Sequence, residues 1–188
     1  MLTTRQEIRT IKIHLFIRQL LQPWQLPRYY MGYMNTEVTL QISSTSSNET
    51  ELLGEKIGQN LKGSEVIELV SDLGGGKTAF VRGLAKGADS TDNVASPSFT
   101  IKREYHTSDF MIHHFDFYRL REAGVVKHEL EESLGDAKVV TVIEWADIVE
   151  GVLPNQRLTV SIKTTGETTR QFTFELPETL SYLVQDLK

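Results

Sequence analysis

The sequence predicts an α/β protein built as a three-layer sandwich around a mixed, partly parallel sheet with a C-terminal β-hairpin. Three observations support this fold class. An apolar run enters a glycine-rich turn that is followed by Lys77 and Thr78, and two later apolar runs end in the carboxylates Asp116 and Glu144. Two alternating segments close to the C-terminus are separated by a short polar turn. The glycine-rich turn and the apolar runs that end in carboxylates are typical of the P-loop NTPase type of α/β fold.

The composition is that of one globular domain. A chain of 188 residues can bury a substantial core, and 39% hydrophobic and 24% charged residues are ordinary values for such a domain. Because the sequence has no cysteine, disulfides, thiolate metal sites and cysteine nucleophiles are excluded. No apolar run approaches the roughly 20 residues that span a bilayer. We therefore expect no membrane partner and a cytoplasmic location.

Residues 1–33 differ from the rest of the chain and are predicted to be an N-terminal extension to a single domain at 34–188. They hold five basic residues against one glutamate, in a loose helical stripe that two prolines interrupt. A targeting or membrane-surface helix, a partner-docking helix and a disordered or start-site artefact, with translation beginning at Met31 or Met34, are the open alternatives. The acidic remainder argues against extensive autonomous binding of nucleic acid.

The predicted domain begins with a strand and a helix. Val38–Ile42 alternates between apolar and polar residues, as a half-buried strand does. Ser46 and Glu49 have the spacing of a capping box, which predicts a helix over 48–61. The apolar face of this helix is predicted to comprise Leu52, Leu53, Ile57 and Leu61.

The stretch that follows is typical of a phosphate-binding loop. A short apolar strand, Val66–Val70, leads into three glycines, then Lys77 and Thr78, and then a helix that Gly87 ends. Glycine N–H groups can converge on phosphate oxygens, lysine supplies a positive charge and the threonine hydroxyl can bind Mg²⁺. Ser71 occupies the position of the usual first glycine, and we expect its Cβ to strain the turn. A surface turn that merely precedes Lys-Thr is the alternative.

Inside the helix after the loop, Arg82 follows Thr78 by four residues and so shares its face. It is expected to reach a phosphate or a nearby carboxylate, or else to be solvated. Ser96-Pro97-Ser98-Phe99 then ends a polar loop, and the next strand is predicted over Phe99–Tyr105.

Two further strands are predicted to deliver carboxylates. The first, from Phe110, carries Asp116 close to its end, where a carboxylate can bind Mg²⁺ directly or through water, or orient an attacking water. Its neighbours His113 and His114 point to opposite faces of a strand and so are assigned packing or hydrogen-bonding roles rather than one metal site. A helix is predicted over Glu122–Leu134.

The second carboxylate strand, Val139–Ile143, runs into Glu144 and Trp145 in the arrangement of a Walker B motif. A solvated glutamate is the alternative, and Trp145 is expected either to stack on a ring or to pack. The predicted hairpin joins Leu158–Ile162 to Gln171–Leu176, and a short helix is predicted from Pro177 through Leu187.

Four motifs therefore follow one another: Ser-Asp-Leu-Gly-Gly-Gly-Lys-Thr, Ser-Pro-Ser-Phe-Thr, His-His-Phe-Asp-Phe-Tyr-Arg-Leu and Ile-Glu-Trp. Over about Ser46 to Leu176 the chain resembles the TsaE (formerly YjeE) family of bacterial P-loop ATPases. This family assists the synthesis of N6-threonylcarbamoyladenosine at position 37 of tRNAs that read codons beginning with adenine.

The resemblance implies a slow, partner-stimulated ATPase that is not itself the transferase. It implies binding of ATP or ADP with Mg²⁺, and action together with TsaB and TsaD, where ATP turnover resets the complex and tRNA is contacted indirectly. A nucleotide-gated binding module with little turnover is the alternative. A nucleoside or small-molecule kinase lacks a second substrate motif in this sequence, and a GTPase lacks the Asn-Lys-x-Asp motif.

The resemblance also assigns residues. Catalytic roles fall on Lys77, Asp116 and Glu144, and Mg²⁺ ligation falls on Thr78, Glu144 and Asp116. A weaker transfer places the Ser-x-x-Thr pattern at Ser47 and Thr50 close to the nucleotide. The full set of implied nucleotide-binding residues is Ser47, Leu73, Gly74, Gly75, Gly76, Lys77, Thr78 and Trp145.

Three departures from the family patterns G-D-L-G-A-G-K-T-T and S-P-T-F bear on the expected activity. Ser71 replaces the first glycine, Ala79 replaces the second threonine of the loop, and Ser98 replaces the threonine of the second motif. Ser98 keeps a hydroxyl group and Ala79 does not, so weakened hydrolysis with retained binding is one expectation.

Overall fold

The computed structural model of the chain describes residues 37–122, 124 and 126–187. The predicted N-terminal extension, 1–33, lies outside the described residues. The described elements are β1 (Glu37–Ser44), α1 (Ser47–Gly58), β2 (Val66–Ser71), α2 (Lys77–Gly87), β3 (Lys102–His106), β4 (Met111–Asp116), α3 (Val126–Gly135), β5 (Val139–Glu144), a first 3₁₀ helix (Ala146–Val152), β6 (Leu158–Thr164), β7 (Arg170–Pro177) and a second 3₁₀ helix (Glu178–Leu187).

The seven strands form one mixed sheet in the order β1-β7-β6-β2-β5-β4-β3. Its centre is parallel, because β2 pairs parallel with both β5 and β6, and β4 pairs parallel with β5. The β6–β7 hairpin and the two edge strands are antiparallel. The predicted mixed α/β sheet and the C-terminal hairpin are both confirmed. The predicted C-terminal helix is a 3₁₀ helix, and Pro177 ends β7 instead of opening that helix.

Helices cover both faces of the sheet, which makes three layers. The larger core lies under α1, α2 and the second 3₁₀ helix, with Phe80, Phe172 and Phe174 among its fully buried side chains. The smaller core lies under α3 and the first 3₁₀ helix, around Phe115 and Ile143. Within the described ranges, no helix has the length and apolar character needed to cross a bilayer.

A side-chain cap begins α1. The Ser46 hydroxyl accepts from the Glu49 N–H at 3.2 Å, as the capping-box spacing predicts. The Glu49 carboxylate instead turns back to Thr45, whose backbone N–H donates to it at 2.6 Å. The predicted apolar face is wrong at Leu52, which is 53% exposed, because the face towards α2 is formed by Gly54 and Gly58.

The two large helices lie parallel and in backbone contact. A Cβ on Gly54 would overlap the carbonyl oxygen of Phe80, and one on Gly58 would overlap that of Leu84. On α2, a Cβ on Gly83 or on Gly87 would likewise overlap a carbonyl oxygen of α1. Along this contact the residue numbers of the two helices increase in the same direction. The N-termini of α1 and α2 therefore lie at the same end, beside the glycine-rich loop.

Two element boundaries differ from the predictions. The strand predicted from Phe99 begins at Lys102, because Pro97 starts a turn whose carbonyl accepts from the N–H of Ile101 at 2.6 Å. The helix predicted from Glu122 begins at Val126, since Gly124 has a φ of +43° and does not adopt helical geometry. The remaining strands and helices lie within a few residues of their predicted bounds.

Candidate functional site

The glycine-rich loop connects the carboxyl end of β2 to the first turn of α2. Gly74 and Gly76 have φ values of +75° and +107°, which a residue with a Cβ rarely adopts, and Gly76 caps α2. Ser71 lies in the extended backbone of β2, so the predicted strain at this position is wrong. Its hydroxyl instead donates to the Asp72 carbonyl at 3.0 Å and fills the space beside Gly75.

Lys77 is buried inside this loop. Its ammonium donates to the carbonyls of Ser71 and Asp72 at 3.2 and 3.3 Å. It also lies 3.7 Å from Glu144 Oε2 and 4.6 Å from the ring centre of Trp145. The structure thus brings together three of the residues that the sequence predicts for one site.

The two predicted carboxylates end neighbouring parallel strands. Asp116 of β4 is in register with Glu144 of β5, and both are buried on the α2 side of the sheet. Asp116 Oδ2 accepts from the Ser98 hydroxyl, and its Oδ1 accepts from the Tyr118 N–H at 3.0 Å. These hydrogen bonds fix both oxygens of Asp116.

The paired histidines have the separate roles that the strand geometry predicts. His114 is fully buried and lies 3.0 Å from Glu144 Oε1 through Nε2. His113, on the opposite face, contacts the Ser133 hydroxyl at 3.0 Å. Tyr105 lies against His114 and donates its hydroxyl to the Ala95 carbonyl at 2.9 Å. Burial raises the pKa of Tyr105, which keeps this phenol protonated as a donor.

The residues around the loop suit a magnesium ion. Thr78 lies half-buried in the first turn of α2, and two buried carboxylates end the adjacent strands. Mg²⁺ typically takes one or two carboxylates together with waters and substrate phosphates. Within the described ranges no cluster of three or more histidine, aspartate or glutamate side chains could hold a metal by itself. Hydroxyl and carboxylate oxygens are ligands that Mg²⁺ accepts, so the residues present are chemically compatible with that ion.

Two residues beside the carboxylates have strained backbones. Trp145 directly follows Glu144 and has a φ of +59°, and Ile101, whose carbonyl accepts from the Asp116 N–H, has a φ of +67°. Bulky and β-branched side chains rarely adopt this region, at a cost of about 1–3 kcal/mol. The centre of the Trp145 ring lies 5.0 Å from that of Tyr118 and 4.6 Å from the Lys77 ammonium.

The two residues of the Ser-x-x-Thr pattern have different surroundings at the start of α1. Ser47 is exposed in the first turn of α1. Thr50 is buried one turn later, shares a hydrogen bond of 2.9 Å with Ser44, and places its methyl carbon 3.8 Å from the Cβ position of Gly76. The Ser-x-x-Thr pattern is thus beside the loop through Thr50.

Two arginines have contacts that the sequence left open or missed. Arg82 pairs with Glu51 of α1, which is the carboxylate alternative. Arg170, at the start of β7, donates from Nε to the Gly75 carbonyl at 3.1 Å and from Nη1 to the hairpin turn. Only the strand order places Arg170 beside the loop, so no local pattern could have identified it.

A groove of about 700 Å³ adjoins the loop on the other face of the sheet. Ser71, Asp72 and Trp145 form its wall on the loop side. Its floor is the solvent-facing side of the antiparallel strands, with residues such as Gln41, Ser161 and Thr173. Clefts of this size accommodate small molecules.

Comparison with known proteins yields one family. The family model of the threonylcarbamoyl adenosine biosynthesis protein TsaE matches residues 44–172. The tRNA threonylcarbamoyladenosine biosynthesis protein TsaE of Bacillus subtilis is 34% identical over 140 residues, which cover 72% of this chain and 84% of that protein. The protein of the same name from Rickettsia felis is 34% identical, with coverages of 66% and 73%. The crystal structure of Bacillus subtilis YdiB superposes with a TM-score of 0.68 at 31% identity, covering 81% of this chain and 95% of that chain.

Proposed function

The chain belongs to the TsaE family of tRNA threonylcarbamoyladenosine biosynthesis proteins, and from this we propose that it is a Mg²⁺-dependent ATPase. Its role is to bind ATP or ADP and to hydrolyse ATP slowly, in support of threonylcarbamoyl modification of adenosine 37 in tRNAs that read codons beginning with adenine. It is not itself the transferase. A role in tRNA modification implies a cytoplasmic location.

One observation carries this proposal: Lys77 lies inside a glycine-rich loop within 3.7 Å of a carboxylate that ends the adjacent parallel strand. A buried ammonium paired with a buried carboxylate adds little net stability by itself, since the cost of desolvation offsets much of the attraction. Phosphate oxygens in the loop would give Lys77 a second anionic partner. The backbone N–H groups around Gly74 and Gly76, together with the N-terminus of α2, favour the same anion.

In this proposal each side chain of the site has a separate role in phosphoryl transfer. Lys77 would hold the phosphates, and Thr78 and Glu144 would provide oxygen ligands for Mg²⁺, which would neutralise charge on the phosphates when bound. Asp116, fixed by Ser98 and Tyr118, is placed to accept a hydrogen bond from the attacking water or from a water of the metal shell. Trp145 lines the site beside Lys77 and limits the access of solvent.

The proposed partners are proteins of the TsaB and TsaD kinds. ATP turnover by this chain would reset the complex that they form, and tRNA would be bound through them. The whole protein carries a net charge of −5, which agrees with indirect contact to a polyanion.

Lys77→Ala tests the phosphate-loop assignment. We expect its affinity for ADP, measured by calorimetry, to fall by about 10–150-fold, because a charge-assisted contact to phosphate contributes about 1.5–3 kcal/mol. Lys86→Ala removes an exposed lysine of the same helix, paired with Glu55, and is the matched control. Unchanged ADP affinity in Lys77→Ala would show that the loop does not bind phosphate.

Glu144→Ala tests the metal assignment. ADP binding in EDTA should stay within a few-fold of the unsubstituted protein, whereas the additional affinity that Mg²⁺ confers should disappear. Glu175→Ala, at an exposed position of β7, is the control for loss of a carboxylate. If Mg²⁺ strengthens ADP binding by Glu144→Ala as much as before, Glu144 is not a ligand of the metal.

A second candidate function is a nucleotide-gated binding module with little turnover. Ala79 favours it, because the family pattern has a threonine hydroxyl next to the site at this position. Single-turnover hydrolysis of ATP, with and without TsaB and TsaD, separates the two functions. Hydrolysis that the partners accelerate supports the ATPase, and binding without hydrolysis in either condition supports the module.

A further inference from the structure

We propose that His114 is a positioning residue that orients Glu144 and connects it, through Tyr105, to the loop at 94–98. The geometry is a chain of three side chains that ends on the carbonyl of Ala95. The proposal rests on the proposed function, because it assigns His114 a role towards the same metal site.

The contact between His114 and Glu144 is built into the interior. His114 is fully buried and Glu144 is 3% exposed, so water does not compete for their hydrogen bond. The two oxygens of Glu144 have different partners: Oε1 faces His114 Nε2 at 3.0 Å and Oε2 faces the Lys77 ammonium at 3.7 Å. Because a carboxylate only accepts hydrogen bonds, Nε2 carries a proton and donates a hydrogen bond to Oε1.

Tyr105 fixes the other edge of the imidazole. Its single hydroxyl proton is donated to the Ala95 carbonyl at 2.9 Å, which fixes the Tyr105 side chain with its oxygen 3.4 Å from His114 Nδ1. The ring centres of Tyr105 and His114 lie 6.1 Å apart. The imidazole thus has a hydrogen bond from Nε2 to Glu144 and is confined on its Nδ1 side by contact with Tyr105, and its orientation sets that of the Glu144 carboxylate.

The loop that carries Ala95 also contacts the second carboxylate. Ser98 donates to Asp116 Oδ2, and Ser96 and Ser98 share a hydrogen bond of 2.8 Å. One short segment therefore supports Asp116 directly and Glu144 through two side chains. A displacement of this segment would disturb both carboxylates together, which makes it a candidate for coupling between loop position and metal affinity.

A plain packing role is the competing explanation for His114, and two substitutions of equal polarity separate the two. His114→Gln places its amide nitrogen at the position of Nε2 and can still donate to Glu144. His114→Asn places its amide nitrogen at the position of Nδ1 and cannot reach Glu144. A packing role predicts the larger loss of stability for the smaller side chain but no specific effect on Mg²⁺.

The experiment measures ADP affinity in EDTA and across a Mg²⁺ titration for the full chain and its variants. We expect the Mg²⁺ concentration for half-maximal strengthening to rise about 10–100-fold in His114→Asn, the range found for residues that support metal ligands, and to stay within about threefold in His114→Gln. Tyr105→Phe keeps the ring and removes the hydroxyl, and it should give a smaller rise of several-fold. Binding in EDTA should remain close to that of the unsubstituted chain in all three.

The outcomes are separable. If His114→Asn and His114→Gln titrate like the unsubstituted chain while Glu144→Ala loses its response to Mg²⁺, the positioning role is wrong and the proposed function stands. A Mg²⁺ response that survives in Glu144→Ala overturns the metal assignment itself. Should His114→Asn fail to fold, the rise expected in Tyr105→Phe and its absence in His114→Gln still decide the matter.

Discussion

At the carboxyl end of β2 the Ser71 hydroxyl occupies the space that a Cβ on residue 75 would need. The family pattern G-D-L-G-A-G-K-T-T has glycine at the first of these positions and alanine at the second, whereas this chain has Ser71 and Gly75. The two departures are thus sterically complementary. Compared with the family pattern, this chain has a side chain at position 71 and none at position 75. The positive φ values are at Gly74 and Gly76.

This complementarity predicts that, in a double-mutant cycle, a substitution at position 71 restores the ADP affinity that a substitution at position 75 lowers. Gly75→Ala alone should lower ADP affinity at least about tenfold, because its Cβ and the Ser71 hydroxyl cannot share the space. Adding Ser71→Gly should restore most of the affinity, and Ser71→Gly alone should have little effect. Calorimetry of ADP binding gives all four corners of the cycle. Additive effects would mean that the two positions do not interact.

Prediction from sequence succeeds at single residues where the motif fixes both the residue type and the element that carries it. Lys77 and Glu144 meet at 3.7 Å because a loop lysine and an acid ending the next parallel strand must lie at the same sheet edge. Arg170 and Tyr105 were not predicted as site residues. Their contacts with the Gly75 and Ala95 carbonyls depend on strand order and loop path, which no local pattern records.

Among the elements, α1 and α2 form the pair with the closest approach. Two glycines on each helix, four residues apart, remove the side chains that would separate the backbones. The ion pairs Glu51–Arg82 and Glu55–Lys86 link the helices along their exposed side. This packing brings the start of α1, with Thr50, against the glycine loop. The hydrophobic pattern could not predict it, because a glycine contact leaves no apolar stripe, and for that reason Leu52 was misassigned.

Gly54→Ala should therefore destabilise the protein, although alanine is the better helix former. Its Cβ would overlap the Phe80 carbonyl, so the helices must separate, at a cost of about 1–3 kcal/mol or more in the free energy of unfolding. Gly135→Ala, at the open end of α3, is the control and should change the stability by no more than about 1 kcal/mol. Urea denaturation compares the two. Equal stabilities would show that α1 and α2 can move apart without cost.

At the scale of the whole molecule, the half-buried His113 should contribute to the pH dependence of the free energy of unfolding. Burial lowers the pKa of His113 from its usual 6.5. The unfolded chain then binds more protons than the folded chain below about pH 6.5, so the free energy of unfolding falls as the pH falls through that value. His113 contacts Ser133, has Lys102 and Glu104 as neighbours, and lies on the face of the sheet opposite to His114.

His113→Gln should flatten the decline in the free energy of unfolding between pH 7.5 and 5.5, while ADP binding at pH 7.5 changes little. His128→Gln is the control, since His128 lies on α3 with 80% of its side chain exposed. Denaturation at several pH values measures the slope for each protein. A slope in His113→Gln equal to that of the control would assign the acid sensitivity to other groups.

The predicted boundary at residue 34 can be tested on the folding of the entire chain. β1 begins at Glu37, pairs with β7 over its full length and closes the larger core with Val38, Leu40 and Ile42. A chain beginning at Met34 retains every described contact, so it should fold cooperatively and bind ADP with Mg²⁺ within about twofold of the full chain. A chain beginning at Thr45 lacks β1 and is the matched negative, because β7 would lose its edge partner. If the Met34 chain is insoluble or binds ADP weakly, residues 1–33 contribute to the domain and the boundary is wrong.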